Sequence, residues 1–392
     1  MKKRVELSKP LLTAIIILVL AVGFVIGTRS NQLYAFVGPL FGTNVSADTI
    51  DLSSVQLTYQ TLKANYNGKL DKTKLIEGAN RGLVEAVGDK YTIFMNKKEA
   101  QSFEDDLSGN IGGGVGAEIG MRNKQPTVIR TLDGDPAQAA GVHAGDVIIA
   151  VNDQSVVGKD AQSVVDMIRG EIGTTVKITV RRGNETKTFS ITREQITNPS
   201  VSSKVVNGVG ILTLNRFDSD TAEQARAAAE KFAAQKVKGV VLDLRGNGGG
   251  YVEAAQGVAG LWLDNKEVVT IKSVGSSEQL NSKGEPILKG IPTVVLINGG
   301  SASASEIVAG ALHDHGVAKL VGEKSFGKGT VQEILPLADD SKLKVTIKRW
   351  YTPNGVNITD HGIVPDKKIV LTQKNVEADK DPQLDAALSS LK

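Results

Sequence analysis

No cysteine occurs among the 392 residues. That absence excludes disulfides, a thiol nucleophile and cysteine-ligated metals, and it fits a bacterial protein working outside the cytoplasm. Histidine is scarce, at four. Aromatic residues are sparse too, with nine Phe and two Trp, and no basic run occurs beyond the N-terminus. A nucleic-acid footprint is therefore not expected. The formal net charge of +3 is close to balanced. Glycine, by contrast, is abundant at 42, which implies many tight turns and close backbone approaches. Hydrophobic and charged contents of 41% and 23% are ordinary for a globular protein, and the length allows two or three domains.

The N-terminus carries an address. Lys2, Lys3, Arg4 and Lys9 precede an uncharged apolar run from Leu11 to Gly27. Its seventeen residues would span about 25 Å as a helix, slightly short of a ~30 Å hydrocarbon core. Thr28 and local thinning cover the difference. The basic flank places residues 1–10 in the cytoplasm and everything after residue 30 outside it. Small-x-small triplets occur at Ala21-Val22-Gly23 and Val45-Ser46-Ala47. The apolar run continues past the first, and the second lies far downstream, so an uncleaved single-pass signal anchor at 11–28 is preferred to a cleaved signal.

Residues 29–47 read as a linker and 48–108 as a helical region. Leu52, Val55, Tyr59 and Leu62 fall at helical spacing, as do Leu75, Ala79, Leu83 and Ala86. Residues 109–193 read as short strands around two helices, 135–142 and 161–169. From 205 onward the pattern turns to βα units, with strands at 209–214, 239–244, 267–274, 292–297 and 317–323 and helices at 220–235, 251–263 and 302–314, which implies a layered α/β core. Core and tail divide at 194–375 and 376–392, and the tail ends in a helix from Pro382 to Leu391.

Two neighbourhoods carry chemistry. Ser303 lies in Ser301-Ala302-Ser303-Ala304-Ser305-Glu306, at the turn between strand 292–297 and the next helix. There a hydroxyl can project from the backbone while helix N–H groups face a developing oxyanion. Plain N-capping explains the same serine. His313 is ten residues along that helix, or ~15 Å away, far beyond the ~3 Å a base needs. Lys328, in Ser325-Phe326-Gly327-Lys328-Gly329-Thr330-Val331-Gln332, follows a strand that should lie beside 292–297. A lysine acts as a base only when burial lowers its pKa; Phe326 and Val331 could supply apolar surroundings, and Gln332 could hold the amine without adding charge. Gly322 to Lys328 also begins a phosphate-binding loop, but Gly329 stands where Ser or Thr must hold magnesium. Gly246-Asn247-Gly248-Gly249-Gly250-Tyr251 has tyrosine where a dinucleotide fingerprint needs glycine; it better suits a second backbone donor.

The wording of residues 111–193, with Pro136-Ala137, Ala140-Gly141, Ala144-Gly145-Asp146-Val147-Ile148 and Val151-Asn152, resembles a PDZ domain. The blocks 243–250, 300–307 and 322–332 are similar, in order and spacing, to the signature blocks of the C-terminal processing peptidases, or tail-specific proteases, over about residues 48–375. The resemblance implies a membrane-anchored serine endopeptidase. Its fold class would be α/β: a crotonase-like layered catalytic core with an inserted or preceding PDZ-like β-rich domain and an N-terminal helical region, after one transmembrane helix. It implies Ser303 as nucleophile, Lys328 as general base, Gln332 as its positioning partner, and Ala304 with Gly249 as the oxyanion hole. Gly114, Val115, Gly116 and Ala117 would receive the terminal carboxylate of a substrate. Neither a cofactor nor a metal is expected. The implied partners are exported proteins with accessible apolar C-termini, the membrane through the N-terminal helix, and a second copy of the chain in a homodimer. An inactive C-terminus-binding protein and a crotonase-type acyl-CoA enzyme are the rival readings.

Overall fold

In the computed structural model, residues 15–19, 23, 48, 50–108, 110–122, 125–131, 134–197, 199–273, 275–372, 374–375, 378 and 380–391 are described. The chain divides into two units, residues 1–88 and 89–392. In the first, among the described residues after 50, lie α1 (Ser53–Asn65) and α2 (Lys72–Glu85), the second started by Asp71, whose side chain accepts from Lys74 N–H. Neither helix buries a residue, and Leu52, Val55, Leu62, Ile76 and Leu83 are exposed. No helix among the described residues is long and apolar enough to cross a membrane. The expected anchor at 11–28 lies outside the described residues except for 15–19 and 23.

The second unit opens with β1 (Ile93–Met95) and α3 (Lys97–Ser108). β1 is a strand inside the stretch expected to be helical; three residues are too few to show a period. Next come β2 (Asn110–Gly114), β3 (Ala117–Arg122), β4 (Gln125–Thr131), α4 (Pro136–Ala139), β5 (Val147–Val151), β6 (Gln154–Ser155), α5 (Ala161–Ile168), β7 (Thr175–Arg182), β8 (Glu185–Thr192) and β9 (Glu194–Thr197). Strands β3-β4-β5-β7-β8 form one sheet in that order, with β3 at its edge. Val115, Val128, Ile148, Val164, Ile168, Val176 and Ile191 form its buried core. β2 and β9 pair antiparallel, so the chain enters and leaves this PDZ-like module side by side.

The remaining strands are β10 (Val201–Val206), β11 (Val209–Leu214), β12 (Gly239–Asp243), β13 (Glu267–Ser273), β14 (Ser276–Asn281), β15 (Thr293–Ile297), β16 (Ala318–Gly322), β17 (Thr330–Pro336), β18 (Lys342–Tyr351) and β19 (Lys367–Lys368). Between them lie α6 (Thr221–Ala234), α7 (Val252–Ala259) and α8 (Ala304–Asp314), and α9 (Pro382–Ser390) ends the chain. The central sheet runs β10-β11-β12-β15-β16-β19, parallel except for β10. Alternation sorts its side chains. Leu212, Leu242, Val295, Ile297 and Leu320 join the cluster under α6, α7 and α8, while Ile211, Val241, Val294, Leu296 and Val321 face Ala387 of α9. The second sheet, β1-β18-β13-β14 with β17 on β18, adds Val269, Ile271 and Trp350 to the larger cluster. The result is a layered core, with α9 outside one sheet and helices inside it. Arg245 fixes the last helix: its guanidinium bonds Asp243, Asp381 and Gln383, and Asp381 caps α9 by accepting from Leu384 N–H.

Candidate active site

Three serines stand at the mouth of α8, and the structure separates their roles. Ser301 and Ser305 are fully buried; their hydroxyls donate to Leu244 O and Asn247 O, at 2.8 and 2.9 Å, and so fasten the 244–250 loop. Ser303 alone lines the open cleft. It occupies the N-cap position with φ 53° and ψ −115°, a backbone state that costs about 1–3 kcal/mol in a non-glycine residue. A strand ending at Ile297, a turn and a helix starting at Ala304 produce this bend, which presents the side chain outward.

The loop that carries Lys328 is tied down at each residue from Phe326 to Gly329. Phe326 N–H donates to Ser301 O, Gly327 O accepts from Asp360 N–H, Lys328 O accepts from Trp350 Nε1–H, and Gly329 O accepts from Trp350 N–H. A side chain at Gly327 would meet Gly362 N at 2.8 Å, with φ already +91°, so only glycine fits. The N–H groups of Gly327 and Lys328, which a phosphate-binding loop would offer to an anion, both go to the Glu306 carboxylate. The loop is an anion nest already filled by its own protein.

Ser303, Lys328, Gln332 and Gly249 line one cleft of about 1150 Å³. Lys344 of β18 lines it as well, and no histidine does among the described residues. The Lys328 ammonium lies 5.7 Å from the centre of the Tyr91 ring and that of Lys344 5.0 Å from the Phe103 ring. Burial pushes the Lys328 amine down from 10.5 to about 8; the Lys344 ammonium adds to the fall and the Glu306 carboxylate opposes it. Burial lowers Lys344 too. At pH 7 an amine of pKa 8 is neutral about one time in ten, against about one in three thousand at 10.5. No hydrogen bond joins Ser303 Oγ to Lys328 Nζ among the described residues.

Two expected partners are placed nearby but engaged elsewhere. Gln332 Nε2 donates to Thr330 Oγ1 at 2.7 Å and Thr346 Oγ1 at 3.3 Å. Gly249 packs so closely that a Cβ there would lie 2.8 Å from Ser303 Cβ and 3.0 Å from Ala304 N, yet its N–H donates to Asn247 Oδ1 at 2.9 Å. Ala304 opens α8, so its N–H has no acceptor within the helix. Asn247, like Lys344, was not expected from the sequence: fully buried, it donates to Leu214 O and holds Ala302 N–H and Ser305 through its own carbonyl. Residues 114–117 lie apart from this cleft, in the PDZ-like module. Val115 is buried with its carbonyl accepting from Ala137 N–H, Gly116 takes φ +71°, and Ala117 begins edge strand β3.

Residues 208–369 match peptidase family S41, 113–192 match the PDZ domain family, and 41–99 match the activating protease CtpB N-terminal domain family. A probable CtpA-like serine protease of Staphylococcus haemolyticus is 37% identical over 363 residues, covering 91% of this chain and 73% of that protein. A protein of the same description from Staphylococcus aureus is 37% identical over 339 residues, covering 86% and 68%. Among solved structures, a photosystem II D1 C-terminal processing protease is 31% identical with a TM-score of 0.53, covering 82% of this chain and 87% of its own. A putative S41 protease from Bacteroides fragilis, 16% identical with a TM-score of 0.60 over 83% and 92%, shares the fold.

Proposed function

The chain belongs to peptidase family S41 as a serine-type C-terminal processing peptidase, and on that premise we propose that Ser303 is its nucleophile and Lys328 its general base. The observation that carries this reading is a single cleft holding a serine on a strained elbow and an amine that burial has brought near neutrality. Neutral Lys328 takes the hydroxyl proton as Ser303 Oγ attacks the scissile carbonyl. The oxyanion is held by Ala304 N–H and by Gly249 N–H, which turns to it from Asn247 Oδ1. The Lys328 ammonium returns the proton to the leaving amine, and Lys328, neutral again, then activates the water that releases the acyl group. Gln332 turns from Thr330 and Thr346 to hold Nζ. Ser303→Ala and Lys328→Ala, assayed on one unfolded protein substrate, test the pair; a parental rate in either removes it.

Substrate choice falls to the PDZ-like module. β3 is an edge strand, so an extended C-terminus can add to it, with its carboxylate on the backbone of Gly114, Val115, Gly116 and Ala117. Val115, Val164 and Ile168 beneath that edge favour an apolar terminal side chain. A peptide with a free, apolar C-terminus is expected to bind at least about tenfold more tightly than its amide, because a charged acceptor on N–H donors is worth about 1.5–3 kcal/mol. Equal affinities by calorimetry would remove this role for residues 114–117.

The apolar run at 11–28 anchors the chain in the cell membrane with the peptidase outside the cytoplasm, and the exposed apolar faces of α1 and α2 pair with those of a second copy. One centrifugation series reads both. The full chain should pellet with membranes, while a chain starting at residue 31 should stay in solution and sediment as a dimer. A soluble full chain counts against the anchor, and a monomer at micromolar concentration against the pairing.

A further inference from the structure

Glu306 is a carboxylate buried completely inside α8, with no cation paired to it among the described residues. Four donors hold it instead. Oε1 accepts from the Ser325 hydroxyl at 2.6 Å and Gly327 N–H at 2.7 Å; Oε2 accepts from Ser303 N–H at 2.9 Å and Lys328 N–H at 3.0 Å. Starting a helix requires only the Ser303 contact. The other three come from the loop that carries the amine, nineteen to twenty-two residues further along the chain. One rigid group thus touches the main chain of both reacting residues, and a buried charge left with fewer donors is costly, so the four-donor arrangement resists being pulled apart.

We propose that Glu306 is the positioning residue of the site: its carboxylate sets the Ser303 elbow and the Lys328 loop at one fixed separation. The proposal rests on the assignment of Ser303 and Lys328 above. It goes beyond that assignment in making the pair dependent on a third side chain that touches neither substrate nor water. Lys328 also faces Lys344 from β18 and Tyr91 from the segment before β1, while Arg216, Glu253, Glu278, Lys283 and Lys348 are the other charged residues lining the cleft.

Glu306→Gln keeps the size but sets an amide NH₂ against two donors and removes the negative charge. We expect kcat to fall about 100-fold, the cost of roughly an ångström of misplacement, with KM within about threefold of the parent. The acid limb of the pH–rate profile should move to lower pH, since the group that favoured the ammonium is gone. Ser325→Ala, which removes one donor and leaves the charge, should lower kcat less and leave the limb where it was. It also serves if Glu306→Gln fails to fold. A kcat within threefold of the parent in Glu306→Gln, or in Ser325→Ala where Glu306→Gln does not fold, overturns the proposal; so does a slowed Glu306→Gln whose limb has not moved. Ser303→Ala is run alongside: if it retains activity, the assignment of the nucleophile fails, whereas an inactive Ser303→Ala beside a fully active Glu306→Gln sinks the positioning role alone.

Discussion

Ser303→Ala and Lys328→Ala are each expected to lower kcat/KM for an unfolded protein substrate by about 10⁴-fold or more. The magnitude follows from the roles proposed above: without the Ser303 hydroxyl no acyl-enzyme would form, and without the Lys328 amine the hydroxyl would keep its proton. Members of one catalytic unit do not contribute additively, so the double variant should be no slower than the worse single one. The residual rate should come from binding and oxyanion donors alone. Ser301→Ala supplies the contrast. Its hydroxyl is buried and donates to Leu244 O, so its loss should cost stability, about 1 kcal/mol for the hydrogen bond, and leave the chemistry in place. If Ser303→Ala retains more than a hundredth of the parental rate in highly purified protein, Ser303 is not the nucleophile.

The second large effect is on pH. As the proposed base, Lys328 would act in its neutral form, and burial lowers its pKa to about 8. kcat/KM should therefore climb about tenfold per unit below a midpoint near pH 8 and level off above it. Lys344→Gln removes a like charge that pushes Lys328 down, so the ammonium is held more tightly and the midpoint must rise. At pH 7 that variant should be slower than the parent, and at pH 10 the two should converge. A midpoint in the unperturbed imidazole range, about 6.5, would contradict a lysine base, and a midpoint unmoved in Lys344→Gln would remove Lys344 from its control. The same shift has a stability counterpart. A lysine whose pKa falls on folding binds fewer protons in the folded state, so it weighs against folding below pH 8 and ceases to do so as pH rises through the unfolded value of 10.5.

The βα order of the core was legible because parallel strands such as 239–243 and 293–297 are continuous apolar runs bounded by turns. Ser303 could be picked from three serines by its place at a helix mouth, although only the burial of Ser301 and Ser305 shows why the other two are excluded. The second sheet was hidden. β18 pairs with β1, β13 and β17, partners scattered over some 250 residues, and nothing in local periodicity announces such a pairing. Lys344 was therefore invisible as a neighbour of Lys328. Glu306 stood in plain view as the third residue after Ser303, where a capping box has its acid, but its three contacts with the 325–328 loop appear only once the chain has folded back. Asn247 had no signal of its own in the sequence, since a side chain that braces its own glycines leaves no periodic trace.

The pairing of β2 with β9 makes the PDZ-like module a cassette. Its entry and exit strands lie hydrogen-bonded to each other from Asn110↔Thr197 to Gly114↔Glu194, so the rest of the second unit meets the module across a two-stranded stem. Any domain whose termini emerge as an antiparallel pair could be spliced onto that stem without altering the length of chain the core must bridge. With recognition assigned to the module and cleavage to the core, as proposed, replacing the one segment between Gly114 and Glu194 would retarget the peptidase in one step.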